Sequence, residues 1–420
     1  MRDVLEGLNR EQREAVTTVE GPLMLIAGAG TGKTNVLIRR VAFLIDTAGV
    51  SPDNILAVTF TEKAAAEIKR RIEEWIGTGG EELWVSTFHS FCADVLRKHG
   101  TLVGLSENFK QFDEIDQWVF LRRLLPQLHL DYFLELADPY RVIRDFIAFI
   151  SRAKDELILP EDYLDYARQK QLEFGRTFDI GYGEIEKFLH EDKYIATRPD
   201  IVHGRAQEEW LALKEAGLEV KKMLEMGEIY RRYQEEMLNT GSMDFGDLIV
   251  LCYRLFKEHP DVLDQYRRRF THILVDEFQD TNIAQIELLK LLADPRRNIC
   301  VVGDDDQAIY RFRGASYASF VKFKEQYPDH AVVKLYQNYR SMKRILEASG
   351  CLIANNGDAR YDPEKNLWTE NEKGDPVKVL LSTEFSDEAV AVADAVENVV
   401  RRSVPHGRHY GECAVLYRAH

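Results

Sequence analysis

Residues 22–34 read PLMLIAGAGTGKT, an apolar run followed at once by a glycine-rich loop. The apolar run has the length and composition of a strand buried on both faces of a parallel sheet. A helical pattern follows from Lys33, so the loop stands between a strand and a helix, as a phosphate-binding P-loop requires. Gly28, Gly30 and Gly32 allow backbone N–H groups to point at a phosphate at the positive end of that helix.

The chemistry of this loop is specific. Lys33 offers a charge to β- and γ-phosphates, and the Thr34 hydroxyl is a ligand type for Mg²⁺. We predict that the phosphate is held by the whole loop, which comprises Ala27, Gly28, Ala29, Gly30, Thr31, Gly32, Lys33 and Thr34. Ala27 stands where the strict pattern has glycine.

Two carboxylates follow another apolar run. Asp276 and Glu277 come directly after Ile273–Val275, where a parallel strand would deliver them to the edge of the sheet that carries the phosphate loop. Asp276 would bind Mg²⁺, and Glu277 could accept a proton from an attacking water, which favours hydrolysis over transfer to a bound acceptor. The residues therefore predict a site that hydrolyses a nucleoside triphosphate with Mg²⁺.

The pattern along the chain predicts an α/β fold with a doubly wound parallel sheet. Between about residues 113 and 240 helical patterns follow one another without a convincing strand, so we expect an all-helical insertion in the first α/β domain. A second α/β domain begins after residue 340, with expected strands at Val377–Leu381 and Cys413–Tyr417, too few for a stable sheet layer. The predicted boundaries are 1–112 with 241–340, then 113–240, then 341–420. Residues 355–376 are polar and turn-rich, and we expect a surface loop there.

Composition narrows the function classes. The chain has 420 residues, enough for two to three domains, and its five cysteines form no CxxC pair, which argues against a disulfide framework or a clustered zinc site. No apolar run approaches the ~20 residues needed to cross a bilayer, and residues 1–20 are too charged for a secretory signal, so we expect a cytoplasmic protein without a membrane partner. The net charge is −15, so nucleic acid binding would rest on local basic and aromatic patches.

The motifs together resemble one family. On these residues the chain is identified as a member of the UvrD/Rep/PcrA group of superfamily 1 DNA helicases, whose RecA-like motor domain carries the P-loop. The similar segments, in family order, are LNREQ (8–12), VTFT (58–61), STFHS (86–90), MDFGDL (243–248), DEFQD (276–280), GDDDQAIYRFRGA (303–315) and QNYRS (337–341).

The resemblance implies roles for further residues around the nucleotide. Gln12 would read the adenine edge and Tyr339 would stack on adenine. Arg340 would reach the γ-phosphate. Gln307 would orient the attacking water or touch the γ-phosphate, and with Lys33, Glu277 and Arg340 it completes the expected catalytic set.

The resemblance also implies a single-strand DNA track. Its expected contacts are Phe60, Thr61, Thr87, His89, Tyr310, Phe312 and Arg313. Base stacking on aromatic rings is indifferent to sequence, which suits a protein that steps along any strand. Asp304, Asp305 and Asp306 look like a metal cluster, but three adjacent carboxylates cannot all face one ion, so we interpret them as scaffold.

The implied function is an ATP- and Mg²⁺-dependent translocase on single-stranded DNA that unwinds duplex 3′ to 5′ at single/double-strand junctions, in repair, replication restart or recombination. Family members bring a second arginine from sequence beyond residue 420, so these residues alone should hydrolyse ATP slowly. Two alternatives stay open: an ATP-gated DNA-binding module without unwinding, and the motor arm of a helicase–nuclease complex. The resemblance does not identify which repair or recombination proteins would be partners.

Overall fold

The computed structural model describes residues 3–77, 82–106, 108–128, 130, 132–133, 142–179, 207–308, 318–402 and 409–417. They divide into two compact units, one formed by residues up to 340 together with 356–367, the other by 341–355 together with the residues from 368 on. The expected contacts Tyr310, Phe312 and Arg313 lie outside the described residues.

A parallel sheet forms the centre of the first unit, as predicted. Its strand order is β3-β2-β6-β7-β1-β8, and every neighbouring pair is parallel. The six strands are β1 (Leu23–Ala27), β2 (Ile55–Thr59), β3 (Trp84–Thr87), β6 (His272–Val275), β7 (Ile299–Gly303) and β8 (Ala331–Leu335). Two further strands, β4 (Lys110–Gln111) and β5 (Ser242–Met243), form a separate short parallel pair.

Helices cover both faces of this sheet, and the described residues between 113 and 240 also form helices. They are α1 (Arg10–Thr17), α2 (Lys33–Asp46), α3 (Glu62–Ile76), α4 (Phe88–His99), α5 (Glu114–Leu124), α6 (Ile143–Asp155), α7 (Pro160–Phe178), α8 (Gln207–Asn239), α9 (Phe245–Glu258), α10 (Pro260–Arg269), α11 (Ile283–Ala293), α12 (Ala318–Gln326), α13 (Lys343–Ile353) and α14 (Phe385–Arg402). Within the described ranges, every helix is too short or too polar to cross a lipid bilayer.

Alternate side chains of each strand enter two separate cores, because successive residues point to opposite faces. On β1, Met24 and Ile26 pack with helices α4, α9 and α11, whereas Leu23 and Leu25 pack with α1 and α2. Because helices bury both faces of the sheet, the central strands are uninterrupted apolar runs. Since all the strands are parallel, the residues that follow β1, β2, β3, β6 and β7 meet at one edge of the sheet.

The described helices α5, α6 and α8 pack around a core of their own. Its largest buried side chains include Phe146, Tyr230 and Tyr233. A fully buried Lys154 on α6 joins this core to the start of α9, where its ammonium contacts Asp244 and Asp247, each at 2.7 Å. The described residues between 113 and 240 therefore form helices and turns without a strand, where the sequence predicted an all-helical insertion; the insertion and its boundaries stay a prediction.

Two expectations for the later residues are wrong. Residues 377–381 and 413–417 form no strand, and Leu381 and Leu416 are more than nine-tenths exposed. A strand needs a neighbour to complete its hydrogen bonds, and the described residues of this unit supply none. The expected surface loop at 355–376 is wrong in its middle, because Arg360, Asp362 and Lys365 are buried in the first unit.

Candidate nucleotide and DNA sites

The phosphate loop joins β1 to α2 with left-handed backbone at two glycines. Gly30 has φ +71° and Gly32 has φ +86°, angles that side chains with a Cβ rarely adopt. Gly32 is also the N-cap of α2, and no side chain caps this helix end. The first N–H groups of α2 therefore remain available for an anion, as the sequence pattern predicts.

Side chains from α1 brace the loop from behind. The buried Gln12 amide donates to the Thr31 carbonyl oxygen at 3.0 Å, and the Thr31 hydroxyl donates to the Gly28 carbonyl oxygen at 2.8 Å. Asn9 caps α1 and also donates to the Tyr339 hydroxyl at 3.0 Å. In this structure Gln12 holds the loop, and its contact with adenine stays a prediction.

Residues 338–340 brace the loop from the side of β8. Asn338 donates to the Ala29 carbonyl oxygen at 2.6 Å, and the Tyr339 N–H donates to the Gly30 carbonyl oxygen at 2.9 Å. A Cβ added to Gly30 would lie 2.7 Å from the Arg340 Cβ, so glycine is required by close approach as well as by φ. Sequence reasoning gave Asn338 no role, although it belongs to the QNYRS segment. Tyr339 and Arg340 are exposed beside the loop.

Lys33 and Glu277 form an ion pair of 2.9 Å across the site. The Gln279 amide donates to the same Glu277 oxygen at 2.8 Å. Burial opposes ionisation of Glu277, but Lys33 and the Gln279 hydrogen bond outweigh it and lower its pKa. Glu277 is therefore a carboxylate at neutral pH, the form that can accept a proton from water.

Asp276 is the buried member of the carboxylate pair. Its side chain accepts from the Glu277 N–H at 3.0 Å, and burial together with the adjacent Glu277 charge raises its pKa to about 6, against the opposing effect of Lys33. Crowded, desolvated carboxylates of this kind gain from a divalent cation. Asp276 and the Thr34 hydroxyl on the first turn of α2 are oxygen ligands of the type that Mg²⁺ prefers, so the residues present fit that ion.

Gln279 connects the carboxylates to the loop after β7, a connection that sequence reasoning missed. Its carbonyl oxygen accepts from the Asp304 N–H at 2.9 Å while its amide holds Glu277. Asp304 in turn accepts from the Gln307 amide at 2.5 Å. The hydrogen bonds therefore run without a break from Lys33 to Gln307. The position of Gln279 within DEFQD is the one sequence signal for this role.

The expected DNA contacts lie at the ends of β2 and β3. Phe60, Thr87 and His89 line one cavity of about 580 Å³. The His89 ring packs edge-on against Phe245, with ring centroids 5.6 Å apart. Thr61 caps α3 by accepting from the Ala64 N–H at 3.1 Å. Three of the four described candidates thus come together, and the fourth orients the neighbouring helix.

Glu62 is one of the lining residues that sequence reasoning missed. Its carboxylate accepts from the Ser90 hydroxyl at 2.6 Å and from the Thr87 hydroxyl at 2.7 Å, and these hydrogen bonds lower its pKa. Arg97, also in the lining, pairs with Asp94 at 3.0 Å. The described lining carries no surplus of positive charge, so it suits contacts with bases better than neutralisation of phosphates.

Comparison with known proteins decides the family. Residues 8–328 match the sequence family described as the UvrD/REP helicase N-terminal domain. The chain belongs to the UvrD/REP helicase family. Residues 333–420 match the UvrD-like helicase C-terminal domain.

Curated relatives of this UvrD/REP helicase chain are named ATP-dependent DNA helicase PcrA. The protein from Bacillus subtilis is 37% identical over 99% of this chain and 48% of its own length. A Staphylococcus epidermidis relative is 37% identical over 100% of this chain and 49% of its own length, and one from Staphylococcus aureus 36% over 100% and 48%. The chain therefore spans about half the length of these relatives.

Proposed function

We propose that this chain is the ATP-hydrolysing part of a DNA helicase that translocates 3′ to 5′ on single-stranded DNA. One observation carries the proposal: the phosphate loop, the carboxylates and the aromatic cavity all follow strands of one parallel sheet and so share one edge. The relatives named as ATP-dependent DNA helicases support it. Single/double-strand junctions as substrate, a cytoplasmic location and work in repair, restart or recombination belong to the same proposal.

The residues have distinct parts in hydrolysis. The loop N–H groups and Lys33 bind the β- and γ-phosphates, and Arg340 reaches the γ-phosphate. Glu277 accepts the proton of the attacking water, and Gln307 orients that water or touches the γ-phosphate. Mg²⁺ bound by Thr34 and Asp276 supplies charge neutralisation of the phosphates. Gln12 and Tyr339 contact the adenine. An arginine aimed at the transferring phosphoryl group contributes about 10³ to 10⁵ in rate.

The domain division belongs to this proposal. Residues 1–112 and 241–340 form the RecA-like motor domain, 113–240 its helical insertion and 341–420 the beginning of a second RecA-like domain. The separate core of α5, α6 and α8 supports the insertion. The match of residues 333–420 to a different family domain supports the second boundary.

The test combines ATP hydrolysis with strand displacement. We expect single-stranded DNA to stimulate the slow hydrolysis by this chain, and a chain extended to the length of the relatives to unwind a duplex with a 3′ tail in preference to one with a 5′ tail. Glu277→Gln should lose hydrolysis yet keep nucleotide binding, whereas Glu74→Gln, an exposed change on α3, should keep both. ATP-dependent DNA affinity without displacement would favour the ATP-gated binding module. Hydrolysis indifferent to DNA would contradict the proposal.

A further inference from the structure

A buried, charged segment lies against the site where a surface loop was expected. Residues 356–367 belong to the first unit, and within them Arg360, Asp362 and Lys365 are 9%, 5% and 5% exposed. Burying charged groups is unfavourable unless each finds a partner of opposite charge. The partners identify what this segment does.

Lys365 binds the acidic run after β7. Its ammonium lies 2.7 Å from an Asp304 oxygen and 2.8 Å from an Asp306 oxygen, and it also contacts Asp305. Arg360 holds Asp306 with two hydrogen bonds of 2.8 and 2.9 Å. Each of the three carboxylates is thus paired with a cation of the chain itself, Lys365 or Arg360, which supports their interpretation as scaffold.

The segment also binds the acidic run through its backbone. The N–H groups of Tyr361 and Asp362 donate to one Asp305 oxygen at 3.0 and 3.2 Å. Charge-assisted hydrogen bonds of this type are stronger and more directional than neutral ones. Each aspartate of the run is therefore held by residues 360–365.

Asp304 passes this restraint to the proposed catalytic glutamine. One of its oxygens contacts Lys365 at 2.7 Å, and the other accepts from the Gln307 amide at 2.5 Å. The same segment reaches the phosphate loop, because Leu367 packs where a Cβ on Gly28 would lie. Residues 360–367 therefore touch both structural elements that would meet a γ-phosphate.

We propose that Lys365 and Arg360 are positioning residues for Gln307: through Asp304 and Asp306 they hold the loop that aims the Gln307 amide at the γ-phosphate. This inference rests on the proposed function, since it needs Gln307 to act on the nucleotide. Removal of Lys365 would leave two fully buried carboxylates without their cation, and the loop that bears Gln307 would rearrange to reach water.

The test separates turnover from substrate affinity in the 420-residue chain. We expect Lys365→Met to lower kcat for ATP hydrolysis at least ~10-fold and to change KM less than ~3-fold, because an orienting contact acts mainly in the transition state. The control is Lys334→Met, which removes the same charge from an ion pair of 2.8 Å with Asp362 of the same segment, at an exposed site. It should keep kcat within ~2-fold.

A second readout does not need turnover. Titration with ADP and with a non-hydrolysable ATP analogue should show a weaker preference of Lys365→Met for the triphosphate, by about 2-fold, within the small change expected of KM, since the contact to the γ-phosphate is weakened in the ground state and lost mainly in the transition state. Thermal unfolding establishes that each variant is folded. If Lys365→Met does not fold, Arg360→Gln takes its place with a smaller expected loss of kcat, about 3-fold, because Arg360 reaches Gln307 less directly.

The variant Gln307→Ala distinguishes failure of the proposed role of Gln307 from failure of the positioning inference. If this variant keeps wild-type kcat and triphosphate preference, the proposed role of Gln307 is wrong, whatever Lys365 does. If it loses kcat while folded Lys365→Met does not, only the positioning inference is overturned. In the double variant Lys365→Met/Gln307→Ala we expect kcat within ~3-fold of that of Gln307→Ala alone, because the two residues act through one contact. If the two losses of kcat multiply instead, the residues have independent roles and the inference is overturned.

Discussion

The Lys33 ammonium and the Glu277 carboxylate lie 2.9 Å apart, so the residue that should bind phosphate is paired with the residue that should activate water. A triphosphate in the loop competes for the same ammonium. Since Lys33 is one of the groups that lower the Glu277 pKa, its transfer to phosphate makes Glu277 more basic. Binding of the substrate would therefore prepare the base.

We expect Lys33→Ala to abolish ATP turnover and to keep most of the affinity for single-stranded DNA. The phosphates lose their point charge, while the cavity lined by Phe60, Thr87 and His89 is untouched. Steady-state hydrolysis and oligonucleotide titration measure the two effects. Retained turnover would contradict the phosphate assignment.

The cavity makes a second prediction. Phe60→Ala should weaken single-strand binding by about 1–3 kcal/mol, to a similar extent for oligonucleotides of different sequence, because stacking does not depend on base identity. Tyr253→Ala, which changes an aromatic residue on α9 outside the cavity lining, is the control and should bind normally. An unchanged dissociation constant for Phe60→Ala would remove this ring from the DNA track.

Lys154 should be essential for the stability of the junction between α6 and α9. Lys154→Met leaves Asp244 and Asp247 buried without their shared cation, which should lower the free energy of unfolding by about 3–5 kcal/mol in urea titrations. Lys170→Met breaks a more exposed ion pair of 2.7 Å with Glu173 on α7 and should change the free energy of unfolding by less than ~1 kcal/mol. Equal effects would contradict this account of the buried pair.

The buried His272 predicts a pH dependence of stability. Burial, with Arg40 and Arg296 nearby, lowers the pKa of its imidazole to about 4. Between pH 6.5, the ordinary pKa of histidine, and about pH 4, the unfolded chain binds a proton at His272 that the folded chain does not. The free energy of unfolding therefore falls as the pH is lowered from 6.5 to about 4. The loss from this residue should reach up to about 3 kcal/mol.

The measurement is the difference between wild type and His272→Gln in chemical unfolding from pH 7 to pH 4. Subtraction is required because Asp280 and Asp247 have pKa values raised to about 6, chiefly by burial, and favour the folded state on acidification. The variant should lose less stability than wild type. Parallel pH profiles would show that His272 does not titrate as the structure predicts.

Local patterns were sufficient for the central strands and for the phosphate site. In the run ending at Ala27 with the glycines that follow it, and in the pair Asp276–Glu277, functional residues come directly after an apolar run, so the parallel sheet and the phosphate site could be predicted. The family followed from the similar segments and their order along the chain. The edge strands β3 and β8 were missed. They are short or partly exposed, since only Val333 and Leu335 of the five β8 residues are buried, and they lack the uninterrupted apolar run that marked the centre of the sheet.

Long-range partners were decided by the tertiary structure alone. Lys365 meets Asp304 across 61 positions and Asn338 meets Ala29 across 309, and neither residue carries a local signal of its partner. The same reason explains why the predicted strand at residues 377–381 is wrong: this strand-like run lacks a described neighbour to pair with. Sequence by itself determined which side chains could bind phosphate and activate water; the packed chain decided which groups hold them in place, because burial and hydrogen bonding depend on neighbours distant in sequence.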